Sequence, residues 1–565
     1  ARAAHPSEPM SMPRKLDLVL CWHMHQPDYR NYLGGDYVLP WTYLHAIKDY
    51  TDMAYHLENS EGKAVFNFVP ILLEQLADYV DQFATGKVRD PLLKLLVRKD
   101  METLTRQDRA HILDSCFRSN HHKMIRPYPA YSHLFDAFQF FDGRDDGSLE
   151  YLSGQYMADL LVWYHLAWTG ESVRRSHETV ASLMAKGSQF TYEDRKSLFD
   201  LIGELIKGII PRYKALAESG KIELSTTPYY HPIMPLLLDF GSAKEAMPEV
   251  ELPKCECYPG GRTRTQHHVS KALDAHASYF GHRPAGVWPS EGSVSDGTLK
   301  VLAESGFKWA ATGEAVLVNS LKKIGELPEK IDYLYRPYRR GDIVCFFRDD
   351  YLSDRIGFEY SKWNGRDAAN NFIHHLEEIL SQSQDENPVV SVILDGENAW
   401  EFYPYNGYYF LSDLYDALSN HPDIRMTTFS ECAGRKCIEL PGIVAGSWVY
   451  GTFSTWIGSE DKNRGWDLLC EAKKSYDHVM ASGRLSEEEM GLADKQLSDC
   501  EGSDWFWWFG DYNSAVSVSS FDSLYRLNLA NLYRILKLPV PHTLDRVISV
   551  GQGDPALGGT MRRAS

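Results

Sequence analysis

The sequence predicts an α/β protein: a parallel β/α barrel of seven or eight strands, interrupted by a helical insertion and followed by a mainly helical C-terminal domain. Three observations predict it. Short apolar runs alternate with helical periods along much of the chain, as in successive βα units. Nearly every run ends in a burst of polar or aromatic residues, and in β/α barrels the chemistry gathers at that end of the strands. Strand signals vanish between about 71 and 220 and again after Gly446, where periods near 3.6 take over.

The first strand is Lys15-Leu-Asp-Leu-Val-Leu-Cys21, which exits into Trp22-His23-Met-His25-Gln26. His23 and His25 are two apart, so on a strand they face the same way. Trp41 and Tyr43 are expected in a loop, followed by a helix over 46–58 and a second strand over 64–70. The insertion 71–220 carries helical periods, clearest over 149–168 and 192–217, with Gly220 as a C-terminal stop. A strand from Lys221 breaks into Thr226-Thr-Pro-Tyr-Tyr-His231-Pro, and a helix over 267–280 follows. Pro284-Ala-Gly-Val-Trp288-Pro-Ser-Glu291 is the next strand and leaves a lone carboxylate at its end. Lys308 to Glu314 repeats the pattern, as does Asp342 to Asp350, with Asp354 close behind. A helix over 367–380 leads to Val389–Leu394, apolar or β-branched apart from one Ser, as in a strand buried on both faces. Ile424 to Ser430 is the last strand candidate. Helices over 461–482, 486–500 and 521–536 then enclose two aromatic-rich stretches, 446–458 and 502–511. The expected division is a loose tail over 1–14, a barrel over 15–445 with its insertion, and a helical domain over 446–545. That domain packs on the barrel and lends aromatic loops to its cleft; a second loose tail runs over 546–565.

Composition narrows the function. A formal charge of −18 argues against a phosphate-backbone partner and against an anionic membrane surface. No run of about 18 apolar residues exists to span a membrane, and Ala1 to Arg14 lacks the apolar core of a signal peptide. Nine cysteines, an odd count, read as reduced thiols of a cytoplasmic protein. Cys255/Cys257 and Cys432/Cys437 lack the spacing of a zinc site. Aromatics are 13% of residues, with 14 Trp and 33 Tyr, enough for a large core or for a cleft where rings stack on sugars.

The stretch that draws the chemistry together is Asp395-Gly-Glu397-Asn-Ala-Trp400-Glu401-Phe-Tyr403. Three carboxylates interleaved with rings suit acid/base work on a stacked ligand. They equally suit a helix start, with Asp395 as cap, Glu397 in the first turn and Trp400 in the core. Hydrolysing a glycosidic bond needs two carboxyl groups astride it, roughly 5–5.5 Å apart when configuration is retained. Glu291 and Asp395 lie at the ends of two separate strands, each near a Trp, and apolar walls raise a carboxyl toward the pKa of a general acid. A capping or salt-bridged Glu291 is the plainer alternative. His23 and His25 are open to three readings: donors to sugar hydroxyls, satisfied barrel-mouth histidines, or ligands of a zinc ion. Trp505-Phe-Trp507-Trp508 reads as core or as a sugar platform.

Five ordered stretches together resemble the sequence regions of glycoside hydrolase family 57. They are His25-Gln26-Pro27, Glu223 through His231-Pro232, Gly286-Val-Trp288-Pro-Ser-Glu291-Gly-Ser-Val-Ser, Asp395-Gly-Glu-Asn-Ala-Trp400-Glu, and Ser503-Asp-Trp-Phe-Trp-Trp-Phe-Gly-Asp511. The likeness runs from about 16 to 540. It implies an incomplete, seven-stranded barrel with a C-terminal helical region, and a retaining enzyme on α-glucans or maltooligosaccharides. It implies Glu291 as nucleophile, Asp395 as acid/base, and no catalytic metal or cofactor, although some members hold calcium. Regions three and four are similar to the α-amylase and amylopullulanase branch. The expected sugar contacts are His23, His25, Gln26, Trp41, Glu223, His231, Trp288, Asp354, Glu397, Trp400, Trp505 and Trp508. The rival readings are a 4-α-glucanotransferase, a zinc enzyme of the α-mannosidase or deacetylase type using His23 and His25, and a non-catalytic glucan-binding protein.

Overall fold

The computed structural model describes residues 12–141 and 146–553. The expected tails lie mostly outside that range. Of their described parts, Arg14 donates to the carbonyls of Ser383 and Asp385, and the amides of Ile548 and Ser549 donate to Asp522.

Ten strands occur among the described residues. They are β1 Leu16–Met24, β2 Ala64–Phe68, β3 Ile222–Ser225, β4 Gly286–Val287, β5 Trp309–Thr312, β6 Tyr338–Arg340, β7 Ile343–Phe347, β8 Val389–Asp395, β9 Ile424–Met426 and β10 Ile438–Glu439. Two sheets hold them. One runs β3-β2-β1-β8 with β9 beside β1; the other runs β10-β6-β7-β5-β4. Two parallel bridges, Thr226 with Val287 and Arg348 with Ser391, join the sheets. The seven strands β1, β2, β3, β4, β5, β7 and β8 thus close an all-parallel ring. It is the seven-stranded β/α barrel. The last strand candidate lies outside the ring: β9 pairs only Leu16 to Leu18, the entry end of β1. The antiparallel β6 and the edge strand β10 carried no apolar run and were not expected from the sequence.

Strand alternation decides what the barrel encloses. Val19 and Cys21 of β1, Val65 of β2, Trp309 and Ala311 of β5, Val344 and Phe346 of β7, and Ile393 of β8 form the inner core. Continuing the same faces, His23, Asn67, Arg348 and Asp395 reach the carboxyl end. Register sets His23 opposite both Asn67 and Asp395, so these three share the top layer. Glu223 is opposite Val65, two residues before the level of Asn67. It therefore sits roughly 6.6 Å deeper, at a rise of about 3.3 Å per residue.

The insertion is helical, from Pro70–Thr85 to the long Tyr192–Glu218, whose start is fixed by a reciprocal capping box between Thr191 and Asp194. Helices Glu460–Ala481, Glu487–Cys500 and Ala515–Ile535 build the C-terminal region. Arg264, on helix Gly261–Phe280, ties that region to the barrel by donating to Glu501 and Asp494. All nine cysteines are described and unpaired. Among the described residues no helix is long and apolar enough to cross a membrane.

Candidate active site

A narrow cleft of about 110 Å³ opens at the carboxyl ends of the strands, and both Glu291 and Asp395 line it. They arrive from opposite sheets. Glu291 follows β4 on a tight turn with φ 59° and ψ 24°, a left-handed conformation that a non-glycine residue adopts only when its surroundings impose it. The surroundings are visible. The carbonyl of Glu291 accepts the Trp448 amide at 3.1 Å, and its Oε2 accepts the Trp448 indole N–H at 3.0 Å. Gly292, at φ 62°, lies so close to Trp288 that a Cβ there would stand 2.8 Å from the indole. Trp288 itself is fully buried. It supports the turn from below rather than facing the cleft.

Asp395 ends β8 and is 9% exposed. Burial pushes its carboxyl up to about 6, against the amide of Asn398, which donates to Oδ2 at 2.8 Å, and the nearby His25 and Arg348, which favour the charged form. Glu397, two residues on, is 2% exposed and lines the same cleft. Its Oε1 accepts the His25 amide at 3.0 Å, and its Oε2 has no partner. Burial, then the charge of Asp395, raises it well above the ordinary carboxylate range. Arg348 lines the cleft too. Its guanidinium lies 5.2 Å over the Trp448 ring and donates to the Ile393 carbonyl at 2.5 Å, to Asp350 at 2.9 Å and to Asp354 at 3.3 Å. One buried cation thus touches both the strand of Asp395 and the indole that holds Glu291.

Three imidazoles form a stack on one wall, with His231 5.3 Å from His23 and 4.0 Å from His25. Asn67 uses its amide N–H groups on Ser225 and Thr226, so its oxygen accepts from His23 Nδ1 at 2.6 Å and leaves His23 Nε2 as an acceptor. Burial lowers His23 to about 3 and His231 well below its ordinary value, so both stay neutral. His231, at φ 62°, bonds Ser503 through Nδ1 at 2.7 Å and leaves a buried Nε2 without a partner. His25 Nε2 pairs with Asp504 at 2.8 Å. His25, His231 and Asp504 are the one set, among the described residues, with ligand atoms close enough to share a metal, within 4.8 Å. The two rings are 12° from parallel. Rings stacked face to face send their in-plane lone pairs side by side, whereas a shared ion needs them to converge. The set fits sugar hydroxyls better than zinc.

Of the twelve expected sugar contacts, His23, His25, Gln26, His231, Glu397 and Trp508 line the cleft. The other six do not, each for a stated reason. Trp288 is the support just described. Trp400 is core: it donates to the Gly396 carbonyl at 2.8 Å and packs edge-on against Trp22. Trp505 is core as well, bonded to the Asp499 carbonyl at 2.8 Å and stacked on Tyr525. Glu223 faces inward but one layer too deep, where the indole N–H of Trp309 reaches it at 3.0 Å, and burial raises its carboxyl. Trp41 is not in a loop; it opens the helix Trp41–His45 and packs on Trp168. Asp354 lies behind Arg348, on a separate outer cavity with Glu314 and Asp350. Trp448, Arg348, Asn398 and Asp504 line the cleft without having been expected as sugar contacts, and Trp507, read as core or as a sugar platform, lines it too. For two of them a signal existed: Asp504, Trp507 and Trp508 are spaced i, i+3, i+4, one face of the short helix Asp504–Trp508, with Trp505 and Phe506 on the other.

The model of the glycosyl hydrolase family 57 matches residues 19–440 of the chain. No curated protein sequence matches it. The fold superposes on a family 57 branching enzyme from the hyperthermophilic archaeon Thermococcus kodakaraensis with a TM-score of 0.58 at 14% identity, covering 92% of this chain and 90% of that one. An α-amylase from Thermotoga maritima gives 0.58 at 13%, covering 93% of both. A family 57-type branching enzyme from Pyrococcus horikoshii gives 0.56 at 14%, covering 96% and 99%. At these identities the likeness is one of fold.

Proposed function

The chain belongs to glycosyl hydrolase family 57, and from that premise we propose that it cleaves α-1,4-glucosidic bonds of starch- or glycogen-like glucans with retention, α-1,6 bonds being a further target. The observation that carries the reading is the placement of Glu291 and Asp395 in one ring-lined cleft. Asp395, whose carboxyl burial lifts to about 6, in its protonated form gives its proton to the glycosidic oxygen as the C1–O bond breaks. Glu291, steadied by the Trp448 indole, attacks C1 and forms a glycosyl ester. Asp395, now charged, takes a proton from the incoming water or sugar hydroxyl, whose oxygen displaces Glu291. His23 accepts from a sugar hydroxyl through its Nε2, His231 Nε2 and the Glu397 carboxyl bond to further hydroxyls, and Trp507 with Trp508 offers the rings on which pyranose faces stack. The chain is read as a soluble enzyme of the cytoplasm.

One observation favours a second reading, 4-α-glucanotransfer on the same machinery. The cleft is narrow and walled by Trp448, Phe358, Trp507, Trp508 and Phe521, which limits water at the ester. Product analysis on maltooligosaccharides separates the two: reducing-end release means hydrolysis, and redistribution of chain lengths at constant reducing ends means transfer. Glu291→Gln should lower kcat in either case by about 10³-fold or more while leaving thermal stability in place. Turnover near the wild-type rate in that variant refutes the assignment.

A further inference from the structure

The segment that carries His231 into the cleft turns Tyr229 and Tyr230 toward a second cavity, of about 420 Å³. Helix Gly261–Phe280 forms one wall with His267, His268, Lys271 and Tyr279; helix Glu487–Cys500 forms the other with Asp494 and Lys495. The volume is in the range of small-molecule sites, about 300–1,000 Å³. The charges on its walls are already matched. Glu74 accepts the Tyr229 hydroxyl at 2.6 Å and has Lys495 at 3.5 Å. Asp494 is held by Arg264 at 2.7 Å, His267 at 2.8 Å and Lys271 at 3.7 Å. An anion would meet lysines that are taken and three neighbouring carboxylates; a cation would meet Glu74 and Asp494, which are taken, and Asp274, which has Arg283 at 3.6 Å. What the cavity offers instead is rings and neutral hydrogen-bonding groups. Tyr229 and Tyr230 lie 5.0 Å apart, Tyr279 is half-buried on the facing helix, and Ser278 adds an exposed hydroxyl.

We infer that this cavity is a second, non-catalytic saccharide site, which binds a short stretch of the same glucan by stacking on tyrosine and hydrogen bonding to its hydroxyls. The inference rests on the α-glucan reading above. It adds a holding site to a catalytic one, so that a polymer is retained between cuts while a short oligosaccharide gains nothing. Because Glu74, Asp494 and Asp274 each have a cationic partner, it binds without turning over.

The test uses the full chain. Maltoheptaose is titrated calorimetrically into the inactive Glu291→Gln variant, alone and combined with Ser278→Trp or Tyr279→Ala. Ser278 is exposed at the cavity mouth, so the Trp fills the space without disturbing the core. Two sites per chain are expected, falling to one in both combined variants. In the otherwise active protein the same two changes should leave kcat/KM on maltotriose within error and raise KM on amylopectin by about tenfold. A single site that neither change removes overturns the inference and leaves the catalytic reading standing. No binding in any variant removes the α-glucan reading itself, and this site with it.

Discussion

Burial lifts the Asp395 carboxyl to about 6, and that one displacement sets the pH behaviour of the site. A general acid must carry its proton, so kcat/KM should fall as pH rises through about 6. Asn398 works against the lift by donating to the charged carboxylate. Asn398→Ala should therefore raise the Asp395 pKa and carry the alkaline limb upward by as much as about one pH unit. A pH–rate profile of the variant checks the sign; a limb that stays put or moves down removes Asp395 as the acid. At this scale the sequence was half legible. Carboxylates and histidines at strand ends announced themselves, because a barrel delivers strand ends to one place. Tryptophans did not: Trp288, Trp400 and Trp505 stand beside the chemistry along the chain, yet each points its ring into the packing beneath. Their bulk was readable and their direction was not. The same blindness hid Trp448, which comes from a loop more than 150 residues beyond Glu291 and is joined to it only through the fold.

Strand β4 is two residues long, and its first residue decides whether the barrel closes. A Cβ on Gly286 would fall 1.7 Å from the Trp309 ring, inside the core that also holds Phe346 and Phe429. Gly286→Ala must expel that indole and break its bond to Glu223. The expected cost is about 1–3 kcal/mol or more, read as a clear fall in the calorimetric melting temperature, and a variant as stable as wild type would show that the core is looser than described. Long apolar or periodic segments were legible: β1, β8, the insertion helices and the C-terminal helices lie close to their expected positions. Short elements without such a pattern were not. Tyr338-Arg339-Arg340 gives no hint of a strand because its partner β7 supplies the apolar face. Ile424 to Met426 is the strand its pattern announced, but it lies on an edge outside the ring, which the pattern could not show.

As a whole molecule, the chain reads as a barrel with helices inserted and appended, and so it is built. What no local pattern could show is where the ring is weakest. Each sheet is continuous within itself, but among the described residues the two meet at two single bridges, beside Thr226 and beside Arg348. The amides of Trp288 and Asp349 cross there, bonding to Thr226 at 3.1 Å and Ser391 at 2.8 Å. Hydrogen exchange should run faster at these two positions than at Leu20 or Trp22 in the middle of β1, and equal protection would mean the junctions are as firm as the ladders. Asp395 and the histidines ride on one half-shell, Glu291 and Trp448 on the other. The spacing between the proton donor and the attacking oxygen is therefore set across two single-bridge junctions with the Arg348 guanidinium as a strap, like the opening of a vice whose screw is held by one pin. A sugar gripped by both sides would tighten that screw itself, and its binding should slow exchange at both junctions together.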